Sequence, residues 1–322
     1  MGEVRGAFDC HVEVILPMKF TVMITTRNRC ADLRQTCERL ISLRPAPDEV
    51  LIGTDACMDG TAELVRREFP AFRVIESPSA LGSVAVRDRL LRAASGDVVV
   101  SLDDDSYPLV DDFFSRLPSL FADHPEAAVI TFPELREGDV FGSRSKTDKS
   151  RGHYVSAYAN CGAAMRRDFY LRQPGFPVFF MHMYEEPDYA LQCYAAGAAV
   201  WFDPTLVIRH HLSADERDPV RRHHQNARNE LWSVWLRCPW PWLPVVSAYR
   251  VWRQFQYACT QGIGWILREP LWWCAALCGA YNCFAARQPV QWPLYLAWMR
   301  LARNPAFTIQ ELRARPAFAS AV

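Results

Sequence analysis

Three consecutive carboxylates, Asp103-Asp104-Asp105, stand directly after the apolar run 98–102. Like charges crowded at the end of a buried strand repel one another, so they call for a cation or several hydrogen-bond donors. A hard divalent ion, Mg²⁺ or Mn²⁺, is the natural partner. One or two carboxylates hold it, phosphate oxygens and water complete its shell, and charge building on a leaving phosphate is offset. A second acidic group, Glu185-Glu186-Pro187-Asp188, lies far along the chain. An acid distant in sequence can face a substrate from the other side and take the proton of an attacking hydroxyl. Further on stands a histidine pair, His210-His211, in the run Ile208-Arg209-His210-His211. Plainer readings compete with each: an Asp-rich turn capping a helix that starts near Pro108, acids suiting a helix dipole, and a surface histidine pair.

The surrounding pattern predicts elements able to position these groups. Lys19 to Thr26 is rich in β-branched and aromatic residues and reads as a buried strand. Asp32 to Leu43 carries apolar residues at helical spacing, and Pro45 and Pro47 stop it before a strand over Glu49 to Thr54. Helices over Ala62 to Phe69 and Val84 to Ala94 alternate with strands over Phe72 to Glu76 and Val98 to Leu102. That alternation predicts a parallel, doubly wound α/β sheet, which binds ligands beyond the carboxyl ends of its strands, where Thr25, Asp55 and the three aspartates fall. Glu134 to Tyr154 is expected as a loop over the site, and a helix is expected over Asp188 to Ala196 after the acidic turn.

Composition narrows the function. Acids and bases balance at a net charge of zero, so no bulk field attracts nucleic acid, and any polyanion site is local. The opening segment 1–17 mixes acids with apolar residues, unlike a signal peptide, and is expected as a loose extension of a cytoplasmic protein. The 11 cysteines include no C-x-x-C pair, so they are read as reduced structural thiols, Cys274, Cys278 and Cys283 included.

From Lys19 to at least Asn229 the chain resembles the inverting family 2 glycosyltransferases of GT-A fold. K-F-T-V-M-I-T-T-R-N-R resembles the family's first strand and loop, placing Thr25 and Arg27 on the donor side. T-D-A-C-M-D-G-T resembles D-D-x-S-x-D-G-T, with Thr54 and Cys57 as departures and Asp55 in place to read a nucleobase. S-A-L-G-S-V-A-V-R-D resembles N-x-G-x-x-x-A-R-N, making Arg87 a donor-site residue. S-L-D-D-D-S matches the D-x-D element. That match implies Asp105 as metal ligand and Asp103 and Asp104 on ribose or metal-bound water, Asp103 being a second candidate ligand. E-E-P-D-Y-A-L-Q-C-Y-A-A-G resembles the acceptor-side element, with Glu186 at the position of the base, Glu185 and Asp188 as alternatives, and Gln192 where Arg is usual. Gly162 would let a sugar approach the backbone, and His210 would contact diphosphate or metal. His223, His224, Arg228 and Asn229 resemble the R-N element that neutralises phosphate.

The resemblance implies transfer of a sugar, with inversion, from a nucleotide-diphosphate donor to the hydroxyl of a glycan or lipid-linked acceptor. Rival readings are a nucleotidyltransferase, a phosphatase of haloacid dehalogenase type, against which Tyr107 stands, or an inert binder of nucleotide sugars or glycans. The predicted organisation is an extension 1–17, a catalytic domain 18–231 and a Trp-rich helical region 232–322. In that last region Trp, Tyr, Pro and Arg recur together, as at a lipid headgroup boundary, and no apolar stretch is long enough to span. Helices lying on the inner face of the cell membrane are expected; packing against the catalytic domain or a homodimer contact are the other readings.

Overall fold

The computed structural model describes residues 18–136, 150–211, 218–315 and 317–318. The expected extension 1–17 and positions 137–149 of the expected loop lie outside them. The first half alternates as the periodicity predicts: β1 (Phe20–Thr26), α1 (Cys30–Ser42), β2 (Glu49–Asp55), α2 (Thr61–Glu68), β3 (Arg73–Ser77), α3 (Ser83–Ala93) and β4 (Val98–Asp103). β1 lies between β2 and β4 and is parallel to both, and β2 is parallel to β3. Val22, Ile24, Leu51, Val99 and Val100 are fully buried, as strands covered by helices on both faces require.

The chain then departs from simple alternation. It continues through β5 (Ser106–Pro108), α4 (Phe113–Asp123), β6 (Ala127–Thr131), β7 (Glu134–Arg136), β8 (His153–Tyr154), β9 (Ala163–Arg166), α5 (Arg167–Arg172), α6 (Glu185–Ala195), β10 (Ala199–Phe202) and β11 (Ile208–His210). The eight-stranded sheet has the order β3-β2-β1-β4-β9-β6-β10-β8 and is mostly parallel. As expected of a mostly parallel sheet, the exceptions are few: β9 runs antiparallel between β4 and β6, and β8 antiparallel to β10. A second sheet, β5-β11-β7, stands beside the acidic strand end. Its presence overturns two expectations. No helix starts near Pro108, because residues 106–108 pair with β11, and α4 begins only at Phe113. Likewise Glu134 to Arg136 is not loop but a strand beside β11.

The remaining helices are α7 (Pro219–Arg237), α8 (Leu243–Gln261), α9 (Ile263–Ile266), α10 (Glu269–Cys278), α11 (Ala280–Ala285), α12 (Trp292–Leu301) and α13 (Ile309–Arg313). The Asp218 carboxylate accepts the N–H groups of Val220 and Arg221 and so caps α7, with Pro219 in its first turn. Residue 231 falls inside α7, so the change in composition coincides with no break in the chain. No helix among the described residues is long and apolar enough to cross a membrane.

Several arginines of this region point inward. Arg237 donates to both oxygens of Asp188 on α6, at 2.9 Å from Nη2 and 3.1 Å from Nε. Arg250 and Arg253 pair with Glu230, Arg287 donates to the carbonyls of Trp235 and Cys238, and Arg228 stacks over Trp232 at 4.4 Å. Packing, rather than a headgroup boundary, therefore accounts for much of the Arg-with-Trp pattern. The Arg237–Asp188 pair is buried on both sides, and truncating one partner strands the other charge. Arg237→Ala is expected to cost about 3–5 kcal/mol of unfolding free energy. A urea midpoint within error of the unsubstituted protein would show that the pair is not what joins α7 to α6.

Candidate active site

The site is assembled at the carboxyl edge of the parallel strands. Thr25 is in register with Gly53 on β2 and with Asp103 on β4, so the polar ends of three adjacent strands sit side by side. The turn after β4 is pinned by Ser106, whose Oγ accepts the Asp103 N–H at 2.8 Å and donates to the Cys161 carbonyl at 2.9 Å. β11 then brings His210 against the turn. His210 Nε2 lies 3.0 Å from Asp105 Oδ1 and 4.0 Å from Asp103 Oδ2, while Nδ1 meets Glu134 on β7.

One ligand atom each from Asp103, Asp105 and His210 lie within 4.8 Å of one another, and the same holds for Glu134, Cys161 and His210. Two carboxylate oxygens and an imidazole suit Mn²⁺ or Mg²⁺. His210 faces the carboxylates of Asp105 and Glu134 from its two ring nitrogens. Burial alone would lower its pKa, but hydrogen bonds to Asp105, Cys161 and Glu134 push it up to about 12. Burial works to raise Asp105, yet the charged His210 beside it, with Arg29, holds its carboxyl below the usual range. Glu134, against the same opposing burial, is held down to about 2 by His210 and Arg136.

Asp104 does not join this group. It points to the other side of the turn, where Arg29 donates to it at 2.7 Å and to Asp105 at 2.8 Å. Burial, and repulsion from Asp103 and Asp105, push its carboxyl up to about 7 against the pull of Arg29. Where a ribose or metal-water contact is expected of Asp104, the structure gives it the ion pair with Arg29. Arg27, the donor residue expected in the first loop, is exposed, and Arg29 two positions on makes the ion pairs. In R-N-R nothing in the sequence distinguishes the two arginines; only the loop's path does.

Arg87 joins the two acidic groups. Its guanidinium donates to Asp103 from one nitrogen and to Glu185 Oε1, at 2.9 Å, from another. Asn160 Nδ2 donates to the same Glu185 oxygen at 3.0 Å, and the Asn160 N–H lies 3.5 Å from Glu186 Oε1. α6 starts at Glu185 rather than Asp188, so all three acids lie in its first turn, where the helix dipole favours them. The three are not equivalent. Asp188 is fully buried and its carboxylate is taken by Arg237, Ser233 and Gln192, which removes it as a candidate base. Glu185 is buried under Arg87 and Asn160. Glu186 is only partly buried. Burial and the adjacent Glu185 carboxylate push Glu186 up to about 8, against the pull of Arg87. Arg87 Nε, Asn160 Oδ1 and Glu185 Oε2 are buried with no hydrogen-bond partner among the described residues.

The donor side is walled by residues 81 and 82. Asp55, buried at the end of β2, accepts the N–H of Leu81 at 2.6 Å and of Gly82 at 3.1 Å. Gly82 has a φ of +84°, and a Cβ there would stand 2.3 Å from the Met181 carbonyl. Gly162, expected to admit a sugar, instead makes room for Ile208, 2.7 Å from where its Cβ would be. The R-N element is no solvated helix face: Asn229 Nδ2 donates to the carbonyls of Phe180, His182 and Met183, fixing the segment that leads into α6. His223 is buried against Glu269 at 2.9 Å. Arg29, Glu134, Asn160 and Cys161 are site residues to which sequence reading gave no role; Asn160 and Cys161 open the run that resembles the family's small-residue strand, whereas Glu134 carried no motif and enters through the pairing of β7 with β11.

A mostly parallel sheet with an acidic metal group at its carboxyl edge, faced by a second carboxylate across one arginine, defines a glycosyltransferase of GT-A fold. The family model for glycosyl transferase family 2 matches residues 21–189, and the chain belongs to that family. Among curated proteins no sequence matches. Among solved structures, one similar in fold is the mannosyltransferase PcManGT from Pyrobaculum calidifontis in complex with GDP-Man and Mn²⁺. It has a TM-score of 0.57 at 18% identity over 95% of this chain and 85% of that one. Another is S. aureus TarS 1-349 in complex with UDP-GlcNAc, with a TM-score of 0.58 at 15% identity over 94% and 91% of the two chains.

Proposed function

We propose that this glycosyltransferase moves a sugar, with inversion, from a nucleotide-diphosphate donor to the hydroxyl of a glycan or lipid-linked acceptor at the inner face of the cell membrane. The observation that carries this is the span from Asp103, Asp105 and His210, through Arg87, to Glu185 and Glu186. It places a cation site at one end of a shared arginine and the acidic first turn of α6 at the other. Asp105, Asp103 and His210 would hold Mn²⁺ or Mg²⁺, which when bound offsets the negative charge of the leaving diphosphate. Support comes from the two structural neighbours, one solved with GDP-Man and Mn²⁺ and the other with UDP-GlcNAc.

Thr25, Asp55 and the loop that Asp55 holds shape the nucleoside side, with Asp55 acting mainly through the N–H groups of Leu81 and Gly82. Arg87 keeps Asp103 and Glu185 at fixed distance. Glu186 accepts the proton of the acceptor hydroxyl as its oxygen bonds to the anomeric carbon, while the bond from that carbon to the diphosphate breaks and the electron pair leaves with the phosphate. A single displacement inverts the anomeric centre. The membrane reading rests on exposed apolar side chains concentrated in residues 240–284, among them Trp240, Val245, Trp252, Leu267, Leu271 and Tyr281.

The test incubates the protein with a panel of nucleotide sugars, Mn²⁺ and acceptors, then assigns the anomeric configuration of product by NMR. An inverted product that vanishes with EDTA and returns with Mn²⁺ is expected. A retained configuration, or turnover indifferent to EDTA, would exclude the mechanism.

A further inference from the structure

Between α7 and α10 lies an open cavity of about 460 Å³. Arg221, His224 and Arg228 line it from α7, and Arg268, Leu271 and Trp272 from the neighbourhood of α10. The α7 residues recur three, four and seven positions apart and so form one stripe of the helix. Arg228 also donates to the Phe180 carbonyl, and its neighbour Asn229 to those of Phe180, His182 and Met183, next to the first turn of α6. The cavity shares no lining residue with the metal group, and Arg228 ties its wall to the segment that leads into α6.

Its chemistry is one-sided. Asp218 is the one acid lining it, and its carboxylate is occupied in capping α7. Glu269 is fully buried behind the wall, bound to His223 and Trp272. No described acid pairs with Arg221 or Arg268, and both arginines are exposed. Charge in the surrounding chain leans the same way: residues 231–310 contain seven arginines, no lysine and the single acid Glu269. The other wall is apolar. Leu271 is 64% exposed, and Leu267, four residues before it, is 73% exposed, so apolar surface stands beside the arginines.

We infer that this cavity binds a phosphate or diphosphate group carried on an apolar chain, the arginines taking the anion while the chain runs out along Leu271 and Leu267. Guanidinium groups bind phosphate through paired, charge-assisted hydrogen bonds, and an apolar edge beside them selects an amphiphile over free phosphate. The inference rests on the membrane-proximal transfer proposed above and deepens it, since such a group could belong to a bilayer lipid or to a lipid-linked acceptor.

Calorimetric titration with decyl phosphate, and with decyl glucoside as the uncharged control, tests it on the full chain. Decyl phosphate is expected to bind at least about tenfold more tightly than decyl glucoside. The double variant Arg221→Ala/Arg268→Ala should lose at least about tenfold in affinity for the phosphate alone, at unchanged Tm, and Arg221→Lys/Arg268→Lys should keep much of it. Equal binding of the two amphiphiles, or an alanine variant that binds like the unsubstituted protein, overturns the inference. Sedimentation with phosphatidylglycerol and phosphatidylcholine vesicles separates the sources. Loss of phosphatidylglycerol binding in the alanine variant assigns a bilayer headgroup; intact vesicle binding assigns the phosphate of an acceptor. Binding of nucleotide sugar with Mn²⁺ in the same preparation is read independently, so its failure would count against the transferase mechanism and not against the cavity.

Discussion

Glu186→Gln is expected to lower kcat by about 10²–10⁴-fold while leaving the Mn²⁺-dependent affinity for donor unchanged. The amide keeps the size of the side chain and cannot accept the proton. Asp188 is spent on Arg237 and is not placed to substitute, and Glu185 is held in the interior through Oε1 by Arg87 and Asn160. Two pH measurements sharpen the expectation. The raised Glu186 carboxyl must be ionised to act, so kcat/KM of the unsubstituted enzyme should climb with pH through the neutral to mildly alkaline range towards about 8, and the variant should lose that limb. Stability should move the other way. A carboxyl whose pKa is raised from 4.5 in the folded chain holds a proton that the unfolded chain has already released, so the folded state loses stability as pH rises between the two values. Glu186→Gln should therefore match the unsubstituted protein near pH 4 and exceed it above pH 8, by on the order of 1–2 kcal/mol once coupling to Glu185 and partial exposure are allowed for. Undiminished turnover would remove Glu186 as the base. A variant less stable at alkaline pH would remove the proposed origin of its raised pKa.

Asp105→Asn carries the second large effect. Asp105 is the carboxylate closest to His210 and lies inside the three-residue metal group. Its loss should weaken Mn²⁺ by at least about a hundredfold, since even outer partners of metal ligands contribute 10–100-fold. At saturating Mn²⁺ the variant's turnover should remain about 10²–10³-fold down, the usual cost of removing one group that stabilises a developing charge. Metal binding must also displace the His210 proton, so affinity in the unsubstituted protein should rise with pH and a proton should be released on binding. In Asp105→Asn, His210 loses the partner that does most to raise it, and the pH dependence should flatten. Mn²⁺ titration by calorimetry in buffers of different ionisation enthalpy reads both quantities. Full Mn²⁺ affinity in the variant would show that the ion sits elsewhere.

Local pattern was enough for the first half of the fold. The strand and helix limits from Phe20 to Asp103 follow from apolar spacing, because each element there buries a face against its sequence neighbours. The same holds for the placing of Thr25, Asp55 and Asp103 on one edge, which parallel winding enforces. Past Pro108 the rules fail in a consistent way. β5, β7, β9 and β11 are three or four residues long, too short for any periodicity to register, and what stabilises them is pairing with strands distant in sequence.

Residue types and order thus determined the class of chemistry: a run of carboxylates after a buried strand, and a second acidic group where a helix begins. The tertiary structure decided which of those acids can act. Asp104 and Asp105 are adjacent in sequence, yet the turn after β4 aims one at Arg29 and brings the other to His210. Glu186 and Asp188 share one helical turn, yet α7 delivers Arg237 to the second and leaves the first partly exposed. Ionisable side chains respond to burial and to partners within a few ångströms, and those partners are supplied by elements that only the folded chain brings together.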